Sequence, residues 1–64
     1  MNPLKRYREE NLVSKTELAR KAEVSILTIN RIEKGKSCRL DTKRKIIRAL
    51  GLKLSEKNKV FRGP

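Results

Sequence analysis

The chain has 64 residues, of which 18 are lysine or arginine and 7 are aspartate or glutamate, giving a formal net charge of +11. So short a chain forms one domain with a small core, and its single cysteine excludes an internal disulfide. It has no histidine and no apolar run longer than two residues, so we expect neither a His/Cys metal site nor a membrane span. The charge favours a polyanionic partner, most often nucleic acid, over a surface that is merely solvated.

Helix signals begin with the first residues. In NPLKRYREEN, Asn2 can cap a helix whose first position is Pro3, where the missing amide hydrogen costs nothing. In SKTELARKA, Ser14 can cap a second helix and Glu17 follows three residues later, which predicts a reciprocal capping box. The second helix turns Leu18, Ala19 and Ala22 inward.

A very short link joins this helix to the next one. Only Glu23 and Val24 separate Ala22 from Ser25, which can cap a third helix ending before Gly35. A link of this length makes the third helix cross the second steeply, as in a helix-turn-helix.

The third helix has more apolar residues than one buried face can use. On a helical wheel of about 100° per residue, Ile29 and Ile32 face the core. Ile26 lies at the border of that face, and Leu27 points almost directly away from it, on the same side as Asn30 and its basic neighbours.

Two further helices complete the chain. DTKRKIIRALG predicts a fourth helix capped by Asp41 and ending at Gly51, and SEKNKVF predicts a short last helix from Ser55. The residues of this part of the chain predicted to face the core are Ile46, Ile47 and Leu50 in the fourth helix, followed by Leu52, Leu54, Val60 and Phe61. With no strand alternation, these elements predict an all-α domain over residues 1–61, followed by a flexible tail at 62–64.

Several short motifs lie at characteristic spacings. They are REE at 8–10, ELA at 17–19, VS at 24–25, INRIEKG at 29–35 and ALG at 49–51. Together they make residues 4–54 similar to the Cro/repressor-type helix-turn-helix (XRE) DNA-binding domain. The resemblance implies a five-helix, lambda-repressor-like domain in which helices 2 and 3 form the helix-turn-helix and helix 3, about residues 26–34, enters the DNA major groove.

The resemblance also assigns roles to residues. It places base-edge contacts at Ile26, Leu27, Asn30 and Arg31. It places phosphate contacts at Lys15, Ser25, Thr28, Lys34, Lys36 and Arg39, with Lys43 as a further candidate unless its basic run is only a solvated helix face. It implies a structural ion pair between Arg8 and Glu33.

Five positions depart from the family pattern. Lys15 stands where glutamine is common, and it can reach a phosphate only as a point charge. Glu23 holds the turn position usually occupied by glycine, so it must adopt a positive φ at a cost of about 1 kcal/mol. Leu12 likewise stands where glycine or asparagine is common. Ile26 and Leu27 replace residues that are often polar.

An aliphatic residue cannot hydrogen-bond to a base, but it can pack against a thymine methyl group. We therefore expect thymine beneath the start of helix 3, with Asn30 suited to adenine and Arg31 suited to guanine or a phosphate. Two alternatives stay open for Leu27: an incidental exposed leucine, which is normal on protein surfaces, or a contact with a protein partner.

Cys38 follows helix 3 in a loop. Lys36 and Arg39 nearby could favour a redox-active thiolate, but a small buried hydrophobic residue is the preferred interpretation. The chain offers few acid/base candidates and no glycine-rich phosphate loop, so we expect no enzymatic activity and no cofactor.

Two classes of function fit these residues. The first is a small transcriptional regulator of bacterial or phage type, a cytoplasmic repressor that binds double-stranded DNA. The second is a protein-interaction module on the same fold, such as an antitoxin. Residues 31–48 carry eight basic residues and two acidic ones, which favours the first. We expect a monomer or weak homodimer in solution that pairs on DNA through the region of helices 4 and 5.

Overall fold

The structure, a computed structural model, describes residues 2–61. This part of the chain forms four α-helices and one 3₁₀ helix without any strand: α1 (Pro3–Glu10), α2 (Lys15–Ala22), α3 (Ile26–Glu33), α4 (Leu40–Ala49) and the 3₁₀ helix (Leu54–Lys59). The predicted all-α fold of five helices is confirmed. Met1 and the tail expected at 62–64 lie outside the described residues.

Three of the predicted helix caps are confirmed. The Asn2 side chain accepts hydrogen bonds from two amides of the first turn of α1, and Ser14 and Ser25 each accept one, at 3.0 and 3.1 Å, at the starts of α2 and α3. The predicted capping box in α2 is wrong in its second bond, from the Ser14 amide to the Glu17 carboxylate. That carboxylate instead pairs with Lys21, 3.3 Å away and one helical turn further along the same face.

The predicted start of α4 is also wrong. The helix begins at Leu40 with Arg39 in the capping position, and no side chain caps it. Asp41 lies within the first turn and pairs with Lys45 at 3.7 Å. The carboxylate still lies near the positive end of the helix dipole, so it favours the same helix without forming the cap.

All four α-helices end in the same way. The residue after the last turn has a positive φ and the next amide returns to a carbonyl five residues back, as in Val24 to Ala19 at 3.0 Å. The left-handed positions have φ of 57°, 57°, 92° and 76° and are occupied by Leu12, Glu23, Gly35 and Gly51. The positive φ predicted for Glu23 is therefore confirmed.

α2 packs against both α3 and α4, while α1 packs against α3 and the 3₁₀ helix. Their shared core consists of nine buried hydrophobic residues: Leu4, Leu18, Ala19, Ala22, Ile29, Ile32, Ile46, Ile47 and Val60. Phe61, Leu50 and Leu52 are half-buried against it.

Leu54 was predicted to be buried, and that prediction is wrong, since 40% of its surface is exposed. It lies at the first position of the 3₁₀ helix, where it lines a surface groove beside Ala22 and Ala49. Val60 supplies the buried side chain of this segment instead. None of the helices within residues 2–61 has the length and apolar character that a membrane span needs.

Candidate nucleic-acid interface

The outer face of α3 is the most distinctive surface of the domain. Ile29 and Ile32 are in the core, so the other side of the same helix faces solvent. Ile26 is 44% exposed and Leu27 is 64% exposed, and Arg31 lies one turn beyond Leu27 and is exposed as well. Helical spacing therefore puts apolar and cationic groups on one outward face.

The end of α3 is fixed to α1 by a buried ion pair. Arg8 donates from Nε to Glu33 at 2.7 Å and from Nη2 to the other carboxylate oxygen at 3.2 Å. Its Nη1 also donates to the carbonyl of Val13 at 3.0 Å, so the guanidinium is held in one orientation. The hydrogen bond to Glu33 raises the pKa of Arg8, against the opposing effect of burial. Both side chains are almost fully buried, so this pair supports the fold.

Asn2 supplies a second link that sequence reasoning missed. While its Oδ1 caps α1, its Nδ2 donates to the carbonyl of Ile32 at 2.9 Å. One side chain thereby joins the start of α1 to the last turn of α3. The cap was evident from the sequence, but its second bond joins residues thirty positions apart, for which a local pattern gives no signal.

A third contact joins α2 to the middle of α3. Lys15 Nζ donates to Asn30 Oδ1 at 2.6 Å, and both residues are half-buried. Sequence reasoning gave these residues separate roles, one on a phosphate and one on a base. The structure brings them together into a single polar group.

The hydroxyl groups at the start of α3 also form a unit. Ser25 Oγ accepts from the amide of Thr28 and lies 2.9 Å from Thr28 Oγ1. One of the two hydroxyls donates to the other, so the remaining hydroxyl proton can be donated outward. The unit can therefore give one hydrogen bond to an anion such as a phosphate.

Beside these hydroxyls lies an open groove of about 360 Å³ between α3 and the start of α4. Arg31 and Arg39 line it together with the hydroxyls of Thr28, Ser37 and Thr42. Guanidinium and hydroxyl groups are common hydrogen-bond donors to phosphate oxygens in proteins, so this groove could accommodate a phosphate.

Most carboxylates of the domain pair with basic residues away from the outer face of α3; within residues 2–61 the exception is Glu23, in the turn before α3. Arg6, Lys21, Lys45 and Lys59 each pair with an acidic residue on their own helix. Within residues 2–61, no carboxylate lies within 4.0 Å of the cations around α3, which are Lys15, Arg31, Lys34, Lys36, Arg39 and Lys43. Their charges are not neutralised locally, so they remain available to an external anion.

Comparison with known families identifies this arrangement. A sequence model described as helix-turn-helix matches residues 4–57, most of the chain. The chain belongs to the helix-turn-helix family. The match is to the XRE type, the family of Cro and repressor DNA-binding domains, so DNA binding is the function that the family supports. No curated protein and no solved structure was found to match the chain significantly.

In helix-turn-helix terms, α2 and α3 are the two helices of the motif and residues 23–25 form its turn. The positions predicted to contact bases, Ile26, Leu27, Asn30 and Arg31, all lie on α3, and the side chain of Asn30 is hydrogen-bonded to Lys15. Lys34 and Lys36 follow α3 directly and are exposed.

Lys43 and Cys38 differ from the other candidates of this helix-turn-helix domain. Lys43 is half-buried, with Nζ 5.7 Å from the centre of the Phe61 ring, so part of its charge is directed at an aromatic face. Burial raises the pKa of the Cys38 thiol, and Lys43 only partly opposes this effect. Lys36 and Arg39, which were expected to favour a thiolate, do not contribute to this shift, and the raised pKa favours the half-buried, protonated form.

Proposed function

We propose that this chain is a sequence-specific transcriptional regulator that reads the major groove of double-stranded DNA with α3. The observation that carries the proposal is the charge distribution: within residues 2–61 the cations around α3 lack carboxylate neighbours, while every acidic residue except the exposed Glu23 pairs with a basic residue. Unpaired cations that surround one exposed helix form the electrostatic footprint of a nucleic-acid-binding surface.

The outer face of α3 supplies the base readout. Leu27 and Ile26 project at its first turn, where they pack against thymine methyl groups, the apolar feature of the major groove. Arg31 projects one turn later and donates to guanine or to a neighbouring phosphate, and Asn30 contacts a base edge beside it.

Phosphate contacts flank this face. Lys34, Lys36 and Arg39 follow α3 and bind backbone phosphates of one DNA strand. At the start of the helix, the hydroxyl proton that remains on Ser25 or Thr28 binds another phosphate. Lys15 contributes positive charge at the start of α2, and Lys43 contributes the weakest contact because its ammonium also faces Phe61. The Arg8–Glu33 pair keeps α3 at a fixed angle to the rest of the domain.

The regulator acts as a repressor in the cytoplasm of a bacterium or in a phage-infected cell. A small domain that occupies a promoter blocks transcription by excluding polymerase and needs no additional surface for doing so. A second candidate is a protein-interaction module, for which the observation is that Leu27 leaves 64% of its surface exposed beside Ile26.

Selection of bound sequences from random duplexes tests the proposal. We expect one enriched motif, and on a single half-site the logarithm of the binding constant should fall against the logarithm of salt concentration with a slope of about −3 to −5. A protein-interaction module would give no enriched motif, and that outcome would overturn the proposal.

Charge reversal tests the assignment of the phosphate contacts. Lys36→Glu should weaken binding to all duplexes alike, because a phosphate contact carries no sequence information. Lys57→Glu, on the 3₁₀ helix, makes the same change of charge away from α3 and should have a much smaller effect on a half-site duplex. If Lys36→Glu instead changed the preferred sequence, its assignment to a phosphate would be wrong.

A further inference from the structure

The bond between Lys15 and Asn30 restricts what the recognition helix can read. The Nζ to Oδ1 distance is 2.6 Å, and the bond carries the charge of the lysine, which makes it stronger than a neutral bond. It links the first residue of α2 to the middle of α3. Both side chains are half-buried, so the bond is only partly exposed to competing water.

The chemistry of lysine fixes the direction of the amide. An ammonium group has three donors and no acceptor, so only the oxygen of the Asn30 side chain can face it. Lys15 therefore takes one of the two lone pairs of this oxygen, and the Nδ2 group of Asn30 remains for a base. Lys15 keeps two more hydrogens of its own, so the two side chains together present mainly donors.

A pair that presents mainly donors suits guanine. An unconstrained asparagine reads adenine by accepting from N6 and donating to N7 of the same base, and it needs its oxygen for the first of these bonds. Guanine instead offers two adjacent acceptors, O6 and N7, in the major groove. Adenine and cytosine would turn their amino donors, N6 and N4, toward the ammonium and amide hydrogens, with only the second lone pair of Oδ1 to accept them.

We propose that Lys15 is a specificity-determining residue, which orients Asn30 as a donor so that the pair reads guanine. This inference rests on the proposed function, since it requires that α3 lies in the major groove. It replaces the adenine expected from an asparagine considered alone. Guanine should be favoured over adenine at the corresponding position by about tenfold, within the range for a two-bond base contact.

The test compares three proteins on the selected site. The wild type should require guanine at one position, and Lys15→Met, which keeps the length of the side chain but removes its donors, should accept adenine there as well or better. Preferences at the other positions should stay unchanged. Lys36→Met removes the same charge from an exposed lysine, so it should lower affinity without changing any base preference.

An atom-level measurement supports the selection. Replacing that guanine by 7-deazaguanine removes only the N7 acceptor, and it should weaken the wild type about fivefold while leaving Asn30→Ala unaffected. Circular dichroism and the urea midpoint of each variant show that it is folded.

The two proposals fail in different ways. If the wild type binds no duplex sequence-specifically, the proposed function fails. If the wild type binds a defined site but lacks a guanine preference that depends on Lys15, the inference is overturned and the proposed function stands.

Discussion

At the scale of single residues, the exposed leucine at the start of α3 is the most informative side chain. Leu27 leaves 64% of its surface in water although it lies beside the buried Ile29. The sequence predicted this exposure, because helical periodicity alone determines which side of α3 a residue occupies. What the leucine contacts depends on a partner, and periodicity carries no information about that.

Uracil substitution tests a thymine contact at Leu27. Replacing the contacted thymine by uracil removes one methyl group and should weaken binding by about 1 kcal/mol, close to the value of a buried methylene. The loss should disappear in Leu27→Ala, which no longer reaches the methyl group, and binding titrations on matched duplexes measure both. Equal affinity for thymine and uracil throughout the site would leave Leu27 as a surface residue or a contact for another protein.

Glu23 carries backbone strain that glycine would relieve. Its φ of 57° costs a residue with a side chain about 1–2 kcal/mol relative to glycine. A glycine variant would regain only part of this, because glycine makes the unfolded chain more flexible. We expect Glu23→Gly to raise the free energy of unfolding by up to about 1 kcal/mol in urea titrations.

The matched control for this change lies on the same helix. Arg20→Gly, in the exposed interior of α2, should lower stability by about 1 kcal/mol, because there glycine only adds flexibility. A lower urea midpoint for Glu23→Gly would show that its side chain makes a favourable contact that outweighs the strain.

At the scale of helices, the helix ends were largely predictable from local patterns, whereas contacts between helices were not, apart from the Arg8–Glu33 pair that the family resemblance implied. Asn2, Ser14 and Ser25 cap their helices as expected, since a cap depends on residues within one turn. Asp41 was misplaced because a carboxylate favours both the capping position and the first turn. The bond from Lys15 to Asn30 depends on side-chain conformations across two helices, which no spacing rule specifies.

The ion pair that joins α1 to α3 should be essential to the fold. Arg8→Ala leaves the buried Glu33 carboxylate without its partner and should cost about 3–5 kcal/mol, which is comparable to the whole stability of so small a domain. Circular dichroism should therefore show a largely unfolded chain at 25 °C. Arg6→Ala breaks the exposed pair with Glu10 and should cost less than about 1 kcal/mol.

A double substitution distinguishes pairing from packing. Arg8→Met with Glu33→Met removes both charges and keeps most of the volume, so it should be more stable than Arg8→Ala. Equal instability of the two proteins would mean that the other bond of Arg8, to the Val13 carbonyl, matters more than the pair.

The 3₁₀ helix should depend on pH through Glu56. Its carboxylate accepts from the amide of Lys53 and pairs with Lys59, both at 2.9 Å, and these bonds lower the pKa of Glu56. Because the pKa is lowered, the two bonds of the Glu56 carboxylate stabilise the 3₁₀ helix fully at neutral pH. This stabilisation is lost as the pH falls through the lowered pKa. In an NMR titration, the amide signal of Lys53 should move with a midpoint below that of an ordinary glutamate.

Glu56→Gln provides the control for this titration. It retains an oxygen that can accept from Lys53, so the amide signal should no longer move in the same pH range. A wild-type midpoint at or above the usual value of glutamate would contradict the role of these two bonds.

At the scale of the whole molecule, size and charge determine how two copies can share DNA. The longest extent of the domain is 27 Å, which is shorter than the ~34 Å between half-sites one helical turn apart. Two copies therefore fit side by side without overlap. Lys53 and Lys57 on the C-terminal segment repel their counterparts in a second copy until DNA neutralises part of the charge, whereas Lys59 is already paired with Glu56.

We therefore expect a monomer that pairs on DNA through α4 and the 3₁₀ helix. Sedimentation at micromolar concentration and low salt should show mostly monomer, and a duplex with two half-sites should bind cooperatively. Inserting about five base pairs between the half-sites turns the copies to opposite faces of the duplex and should abolish the cooperativity. A tight dimer without DNA, or independent filling of both half-sites, would contradict this arrangement.

The fold as a whole was predictable because its signals are local and agree with one another. Gly35 and Gly51 end their helices as expected, and Ile29 and Ile46 are buried as their periodicity requires. Leu54 was misassigned because its apolar character alone placed it in the core, before a helix expected to start at Ser55; it is instead the first residue of the 3₁₀ helix and stays 40% exposed.

The single cysteine of this protein allows its unfolding to be measured by thiol labelling. Cys38 is half-buried with a raised pKa, so it is protonated and shielded at neutral pH, whereas the unfolded chain exposes an ordinary cysteine. An alkylating reagent therefore modifies unfolded molecules faster than folded ones. With one thiol per chain, labelling adds one mass increment, and the rate at which it appears reports the unfolded fraction, with or without DNA.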